Sequence, residues 1–374
     1  MEATTADLTA DFHGTVARLR AAGPVAWISD VRGWMVTSRE LVVAVLRDSD
    51  AFTVDDPRFS TQQVIGPSML SLDGPEHIRH RASFESAFRR GDPATLRARM
   101  TATANRLVDT FAHLGSSDLR VSLAAPLAVS VMLDALGLVD VDERELLSWY
   151  ALIVDAAART SLGEERAATA SGAMASLRVA VERSVGASAL LREASTVLSI
   201  DEIVSNVAVL LFGGVETGEA MTANAFVHLL TVPGLLARIS DTPELIPSLV
   251  EESVRIEPAA AQLDRYATGD VVLGTTQIRR GEFVMCSVAG ANRDPAFFDR
   301  PNEFNLDRNN ARAHISFAQG PHACLATHVA KAETEAAIGS VLRALDNLRW
   351  SGAPPELAGV VFRKAVSVPV SWTS

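Results

Sequence analysis

The stretch HISFAQGPHACLATHVAKAE, residues 314–333, concentrates side chains that can bind a metal. It holds Cys324, one of two cysteines in the chain, together with His314, His322 and His328. A glycine and a proline interrupt the chain before the cysteine, and a helical pattern follows it. The thiol is therefore predicted at a helix N-terminus, where free N–H groups and the helix dipole stabilise a thiolate.

These residue types allow three interpretations of Cys324. It could be a small hydrophobe of the core. It could share a zinc ion with His328, four residues later on the same helix face, although no second cysteine pair accompanies them. It could instead be the single thiolate ligand of a haem iron, which needs no second protein ligand.

A second segment with possible chemistry is LFGGVETGEAM, residues 211–221. Gly213 and Gly214 interrupt an apolar helical run, where each costs about 1 kcal/mol relative to alanine. Either close helix packing or a space kept open beside the helix would explain them. Glu216 and Thr217 follow, an acid and an alcohol that could pass protons. Alternatively, the threonine bonds only to the carbonyl one turn back.

Two helical pairs of charged or titratable residues stand further apart. Glu252 and Arg255 are three residues apart in LVEESVRIEP, and His77 and Arg81 are four apart in LSLDGPEHIRHR. Each pair can face one common partner from a single helix face. Taken alone, both pairs are also typical of solvated helix surfaces.

The motif F-x-x-G-x-H-x-C-x-A closely resembles the haem-ligand signature of the cytochrome P450 family. The resemblance implies haem b as cofactor, with Cys324 as iron ligand and an aromatic ring packed near the sulfur. The family pattern has glycine where this chain has Ala318 and Ala326, so the conformation of the loop is the open point. The residues of this chain at the motif positions are Phe317, Gly320, His322, Cys324 and Ala326, the last in place of a glycine.

The same resemblance assigns roles to the other segments. Glu216 and Thr217 match the oxygen-activation segment of the family, in which the acid and the alcohol deliver protons to dioxygen. The segment around residues 70–81 matches a haem-propionate motif, and two later residues occupy similar positions. The residues expected to contact the propionates are His77, Arg81, Arg265 and His314.

Glu252 and Arg255 match a buried pair that lies behind the haem in this family. A downstream arginine locks that pair, and the segment 291–308 should supply it. Arg300 and Arg308 are both candidates, and the sequence alone does not choose between them.

Length and composition describe a globular chain. It has 374 residues, 48% hydrophobic and 21% charged, with a formal net charge of -11. The negative charge argues against a general nucleic-acid binder. Two cysteines cannot form a disulfide framework, and the N-terminal residues lack a signal-peptide pattern, so a cytoplasmic protein is expected. The most apolar stretch, 203–216, is too short for a membrane span and predicts a buried helix.

Helical periodicity dominates the chain. Strand signals are short, with a predicted hairpin at 24–37, strands within 270–287 and a terminal strand pair at 359–372. A mainly α chain forming one domain over residues 1–374 is expected, and the resemblance implies a helical bundle around haem with small peripheral β-sheets. The predicted helices cover 38–48, 75–88, 95–114, 143–160, 199–231, 243–256 and 326–345.

Substrate contacts in the family come from variable segments, which here fall within 53–69, 150–185, 259–263 and 364–368. The candidate residues are mostly small and apolar, which suits a hydrophobic or aromatic guest with few polar anchors. The predicted pocket residues are Val64, Ile65, Ala208, Val209, Gly213, Ala260, Ala261, Gln262 and Val366.

An arginine cluster on this acidic chain could steer an electronegative partner. The resemblance implies that an acidic ferredoxin docks at this face, although an ordinary arginine-rich surface is the alternative. The cluster consists of Arg79, Arg89, Arg90, Arg97 and Arg99.

Together these motifs predict a bacterial-type haem-thiolate monooxygenase. It would activate dioxygen with NAD(P)H-derived electrons from a ferredoxin and ferredoxin reductase, and oxidise a small organic substrate in secondary-metabolite biosynthesis. No nucleic acid or membrane partner is expected. One alternative is oxidative coupling or cyclisation without oxygen insertion. A remote alternative is a non-catalytic haem or zinc binding protein.

Overall fold

The structure is a computed structural model and describes residues 2–89, 93–161 and 168–373. The chain divides into two compact units. Unit 1 comprises Met1–Thr53, Met100–Ala124 and Thr217–Ser374. Unit 2 comprises Val54–Arg99 and Ala125–Glu216. The expectation of a single domain over residues 1–374 stays a prediction.

Helices form most of both units, which confirms the mainly α prediction. In chain order they are α1 Thr5–Ala10, α2 Phe12–Ala22, α3 Arg39–Arg47, α4 Ser60–Ile65, α5 Gly74–Arg89, α6 Pro93–Phe111, α7 Ala125–Leu136, α8 Glu143–Ser161, α9 Ala168–Val185, α10 Ala189–Ala194, α11 Ile200–Leu211, α12 Thr217–Thr231, α13 Leu235–Asp241, α14 Ile246–Ile256, α15 Val288–Asn292 and α16 Thr327–Ala344.

The described strands are short and all belong to unit 1. They are β1 Glu2–Ala3, β2 Val25–Ile28, β3 Gly33–Val36, β4 Phe52–Thr53, β5 Ser116–Asp118, β6 Gln262–Ala267, β7 Val271–Leu273, β8 Thr276–Ile278, β9 Phe283–Ser287, β10 Asp346–Trp350, β11 Leu357–Ala358, β12 Lys364–Ala365 and β13 Pro369–Thr373.

The main sheet of unit 1 has six strands in the order β1-β2-β3-β9-β6-β4. The predicted hairpin at 24–37 is present as β2 and β3, and its turn contains Arg32 at φ 51°. One face of the sheet packs on α3 in an apolar cluster that includes Val45, Leu46 and Ile315. Because Ile315 lies nine residues before Cys324, this core also anchors the start of the cysteine loop.

The prediction of a terminal strand pair at 359–372 is wrong. β12 pairs with β11, whereas β13 pairs with β10 and β5 in a separate three-stranded sheet. The alternating pattern identified strands in this region, but strand partners depend on distant segments that a local pattern does not contain.

The predicted continuous helix over 199–231 is also modified in the structure. A π turn at Phe212–Glu216 separates α11 from α12 and contains both glycines of the segment. A capping box of Ser199 and Glu202 begins α11. The π turn widens the helix where a glycine pair removes side-chain contacts, and such turns are frequent at functional sites.

The helical run Ile200–Thr231 has the length and apolar composition of a membrane span. However, 72% of its most apolar window is buried inside the protein. Such burial is typical of a core helix, so composition alone is weak evidence for a membrane here.

Candidate active site

The cysteine loop of unit 1 presents its thiol at the start of α16. Cys324 is exposed, and the backbone N–H of Ala326 points at its Sγ atom at 3.4 Å. The Cys324 N–H donates to the carbonyl oxygen of Phe317 at 2.9 Å, which closes the loop. α16 begins three residues after the cysteine, so the positive end of its dipole lies near the sulfur. This environment favours a thiolate.

Three small residues of this loop differ in their backbone conformation. Gly320 has φ 76°, and a Cβ atom there would lie 2.3 Å from the carbonyl oxygen of Leu46. Ala318 has φ 60°, in the left-handed region that favours glycine. Ala326 has φ -109°, which any residue adopts. Of the two departures from the family pattern, Ala318 therefore carries backbone strain and Ala326 does not.

His314 lies in a network beneath the loop. Its Nδ1 atom accepts from the N–H of Ser316 at 3.2 Å, and Nε2 is 3.2 Å from Oε2 of Glu251. Lys331 binds the other oxygen of Glu251 at 2.8 Å and lies 5.3 Å from the ring centre of Phe317. Burial raises the pKa of Glu251, but the hydrogen bonds from His314 and Lys331 outweigh the effect of burial. Together they lower the pKa of Glu251 to about 2. Both His314 nitrogens thus have protein partners, and its propionate contact stays a prediction.

The structure brings Glu252 and Arg255 together as a fully buried pair. Arg255 donates to both carboxylate oxygens, Nε at 2.7 Å and Nη2 at 2.8 Å. Nε of Arg308 donates to the same two oxygens at 2.9 and 3.1 Å. Arg300 is instead 64% exposed and pairs with the neighbouring Asp299 and Glu303. The locking arginine is therefore Arg308.

In unit 2 the π turn ends at Glu216. A Cβ atom on Gly214 would lie 2.2 Å from the sulfur of Met132 on α7, so this glycine permits close packing. Gly213 is exposed, and a Cβ atom there would meet nothing within 4 Å. The two interpretations of the glycine pair thus apply to one glycine each: packing at Gly214 and open space at Gly213.

Glu216 is buried, and the hydroxyl of Tyr150 on α8 donates a hydrogen bond to its Oε2 atom. Sequence reasoning missed Tyr150. The available signal was a hydroxyl on the otherwise apolar buried face of α8. Thr217 follows as the first residue of α12 and is half-buried.

A second buried carboxylate, Glu219, was also missed. It lies on α12 two residues after Thr217 and pairs with Nε of Arg120 at 2.5 Å. Nζ of Lys364 lies 3.8 Å from the same oxygen. A charged residue in a buried helix next to the acid–alcohol pair was visible in the sequence, but its partners come from two distant segments.

The other predicted propionate contacts lie in both units. His77 is buried and Arg81 half-buried, one turn later on α5 of unit 2. Arg265 is buried on β6 of unit 1, where its Nη1 donates to the carbonyl oxygen of Asp264 at 2.7 Å. Their role as propionate ligands stays a prediction.

Beside His77, a buried network joins α5 to α11. Asn206 donates to Nδ1 of His80 at 2.8 Å, and its side-chain oxygen accepts from the N–H of Met69 at 2.9 Å. Glu202 and Arg79 contact the other nitrogen of His80, each at 3.3 Å. This network holds the helix that carries His77, and the sequence did not indicate it.

The predicted pocket residues of unit 2 divide between two cavities. Val64 and Ile65 line an apolar cleft formed by α4, α9 and α11. Ala208 lines a small cavity beside Tyr150 instead. Val209 is buried on α11.

In unit 1, Ala260 is half-buried, Ala261 is fully buried and Val366 is 64% exposed. Gln262 and Arg265 are three residues apart on β6, so they point to opposite faces of the strand. Gln262 donates to Asp264 at 2.9 Å on its own face. If Gln262 lines the pocket and Arg265 binds a propionate, the two groups must therefore lie on opposite faces of β6.

Two of the three predicted cluster arginines whose side chains the structure describes, Arg79 and Arg99, form ion pairs within the protein. Arg79 binds both Glu76 and Glu202, and these hydrogen bonds hold its pKa above the ordinary value. Arg99 binds Asp134 at 2.7 Å. Arg97 is exposed. Arg90 and the side chain of Arg89 lie outside the described residues.

The donor set around Cys324 fits haem better than zinc. In the part of the chain that the structure describes, Glu76, His80 and Glu202 are the one group of three possible metal ligands, and Arg79 already pairs with two of them. Cys324 belongs to no such group, and its thiol is exposed in a loop closed by backbone hydrogen bonds. A single exposed thiol at the start of a helix is the arrangement that suits a haem-thiolate protein, in which one cysteine binds the iron without a second protein ligand.

Comparisons with known proteins agree with this class. The family described as Cytochrome P450 matches residues 244–356. The chain is 32% identical to the mycinamicin IV hydroxylase/epoxidase of Micromonospora griseorubida, over 96% of this chain and 95% of that protein. It is 32% identical to the nocardicin C N-oxygenase of Nocardia uniformis subsp. tsuyamanensis, over 97% and 96% of the two chains.

Among solved structures, that of CalO2 matches with a TM-score of 0.89 at 29% identity, covering 98% of this chain and 97% of that one. The chain therefore belongs to the cytochrome P450 family. It has the P450 fold and is a bacterial-type cytochrome P450 monooxygenase with haem b as cofactor.

Proposed function

We propose that this monooxygenase inserts oxygen into a small hydrophobic or aromatic secondary metabolite, with electrons supplied by a ferredoxin. The observation that carries the proposal is the exposed Cys324 thiol, held at the start of α16 with the Ala326 N–H directed at its sulfur. The relatives named for mycinamicin IV and nocardicin C act on secondary metabolites, which supports the same substrate class here.

The cofactor would be held by the predicted iron ligand and by the predicted propionate donors. Cys324 is the proposed iron ligand, and His77, Arg81 and Arg265 are the proposed donors to the haem propionates, because buried carboxylates require charge-assisted donors. When bound, haem b supplies the one-electron and dioxygen chemistry of the reaction. The protein positions the reactants, excludes water and supplies protons.

The proposed proton relay consists of Glu216 and Thr217. The carboxyl group can take up a proton and pass it to the neighbouring hydroxyl, which passes its own proton onward. Burial of Glu216 keeps this exchange away from bulk water. The open space at Gly213, four residues before Thr217, fits a helix face that reactants approach.

The substrate cleft proposed for unit 2 is lined by α4, α9 and α11. Val64, Ile65 and Val204 give it an apolar surface, and Arg178 and Asp201 form an ion pair at its exposed edge. An apolar cleft with a few polar groups suits a largely hydrophobic guest. A spectral-shift titration with candidate metabolites would identify ligands, because a ligand that binds beside the iron would change the haem absorbance.

Replacement of Cys324 by alanine tests the iron ligand. The reduced carbon monoxide complex of the variant should lose the thiolate-type absorption band, because no sulfur remains to bind the iron. Cys286 is a buried core thiol on β9, and burial raises its pKa to about 12, so C286A should retain the band. An unchanged spectrum in C324A would overturn the assignment.

Isotope labelling tests the reaction type. Turnover under labelled dioxygen should place one labelled oxygen atom in the organic product. An unlabelled coupled or cyclised product would instead establish the alternative reaction, in which the substrate is oxidised without oxygen insertion.

The ferredoxin surface is proposed at two exposed arginines near the cysteine loop. Arg47 donates to Gln319 within the loop at 2.9 Å, and Arg312, two residues before His314, is 80% exposed. Cations beside the ligand loop would attract an acidic partner. A partner docked there would have a short path for electron transfer. R47A and R312A should each raise the KM for ferredoxin by roughly 2- to 5-fold at low salt, as expected for exposed charges. R349A, on β10, is the control, and an equal effect there would reject this surface.

A further inference from the structure

We infer that Tyr150 is a positioning residue for the proton relay, holding the Glu216 carboxyl group for exchange with Thr217. The inference rests on the proposed function and extends it to a residue of α8. Tyr150 is 9% exposed and Glu216 is 7% exposed, and the phenol hydroxyl donates to Oε2 of the carboxyl group. Both residues belong to unit 2.

The surroundings of Tyr150 are apolar, which makes its hydroxyl a specific feature. The ring borders a small cavity next to the π turn. A hydroxyl buried in such a place is costly unless it is hydrogen-bonded, so the contact with Glu216 stabilises the arrangement. The residues that line this cavity with Tyr150 are Leu146, Trp149, Ile153, Leu177, Ala208, Leu211 and Phe212.

The position of Glu216 in the chain explains why orientation matters. It is the last residue of the π turn Phe212–Glu216, and Thr217 is the first residue of α12. The helical spacing changes from π to α at this point, and such π turns are frequent at functional sites. A carboxyl group can accept at both oxygens, so a hydrogen bond at Oε2 orients it without ending its ability to exchange a proton.

Tyr150 is neither a proposed ligand nor a proposed proton carrier. Its effect on the reaction would come through the geometry of Glu216 alone. A proton donor or acceptor works only within hydrogen-bond reach of its partner, so a carboxyl group that turns away slows the transfer. Electrons that have already reached dioxygen are then lost as hydrogen peroxide instead of product.

The first test measures coupling in Y150F, which removes the hydroxyl and keeps the ring. The fraction of electrons released as hydrogen peroxide should rise by roughly 3- to 10-fold, below the ~10²- to 10⁴-fold effect of a lost general acid or base. The solvent deuterium isotope effect on turnover should also increase, because proton transfer becomes slower. The chain has one other tyrosine, Tyr266. Y266F is therefore the matched control, and it should change neither the peroxide fraction nor the isotope effect.

The second test observes the hydrogen bond itself without turnover. The chain has two tyrosines, so holoenzyme labelled with carbon-13 at the phenol carbon gives two signals in its diamagnetic ferrous carbon monoxide form. The Tyr150 signal, assigned by its loss in Y150F, should move upfield in E216A because the acceptor is gone. E216Q retains a side-chain oxygen acceptor and should leave the signal nearly in place while still impairing coupling.

The outcomes separate this inference from the proposed function. If E216Q leaves coupling at the wild-type level, the proposed relay itself is wrong. If E216Q impairs coupling but the Tyr150 signal is unchanged in E216A, or Y150F is fully coupled with a normal isotope effect, the positioning role of Tyr150 is overturned.

Discussion

Gly320 lies so close to Leu46 that a Cβ atom at the glycine would be 2.3 Å from the leucine carbonyl oxygen. Leu46 is in the last turn of α3, and Gly320 is four residues before Cys324. The exposed thiol therefore depends on contact between its loop and a helix from the N-terminal part of the chain. This contact requires a residue without a side chain.

We predict that Gly320→Ala destabilises the protein more than an ordinary glycine replacement at positive φ. The left-handed backbone alone costs about 1–2 kcal/mol, and the clash with backbone adds about 1–3 kcal/mol. Gly234→Ala is the control, because Gly234 has φ 73° and open space around it. Urea denaturation and haem retention should both show the larger loss in G320A. Equal losses would mean that the loop moves away from α3 without cost.

We predict opposite effects for the two alanines that replace glycine in the family motif. Ala318→Gly should stabilise the protein by about 0.5–1 kcal/mol, since relief of left-handed strain exceeds the entropy cost of glycine. Ala326→Gly should destabilise it by about 0.5–1 kcal/mol, because φ -109° is already comfortable for alanine. Urea denaturation of both variants checks the signs. Destabilisation by A318G would contradict this prediction, because it would mean that packing of the Ala318 methyl group outweighs the backbone strain.

We predict that Arg308 and Arg300 differ strongly in their contribution to stability. Arg308→Ala removes one partner of the fully buried Glu252 and should cost about 3–5 kcal/mol. Arg300→Ala changes an exposed side chain and should cost no more than about 0.5 kcal/mol. The free energies of unfolding of the two variants would settle this. Comparable losses would contradict the assignment of Arg308 as the locking residue.

We predict that Glu333 makes stability depend on pH in the neutral range. Burial raises the pKa of this carboxyl group on α16 to about 8, well above its unfolded value of 4.5. Between these values the folded state retains a proton that the unfolded chain releases, so stability falls as pH rises from about 4.5 to 8.

Glu333→Gln should remove that dependence. Relative to the variant, the wild type should lose up to about 1.4 kcal/mol per pH unit across this window and no more above it. Unfolding free energies at several pH values measure the slope. Exposed Glu244, near the start of α14, supplies the control E244Q, which should leave the slope unchanged. Parallel curves for wild type and E333Q would refute the prediction.

Much of the site could be predicted because its chemistry is carried by contiguous residues. The ligand motif around Cys324 and the sequence of Glu216 and Thr217 each fit within a few positions. Their helical context follows from local periodicity. The resemblance of these segments to one family then predicted the fold and the cofactor.

Other features could not be predicted because distant segments create them. Arg308 rather than Arg300 reaches Glu252 because the chain between α15 and the cysteine loop returns to α14 at that residue. The strand partners at the C-terminus also come from distant segments, so a local pattern does not predict them. Tyr150 meets Glu216 across 66 residues, and no local pattern encodes such a pairing.

Sequence alone was enough to predict the family and the helical character of the chain, since side-chain chemistry and periodicity are local properties. The tertiary structure was needed to see that Ala318 is strained and Ala326 is not, that Gly214 packs while Gly213 faces open space, and that Tyr150 donates to Glu216. These outcomes depend on backbone angles and on contacts between segments far apart in the chain. Such contacts acquire their energy only once the segments pack together.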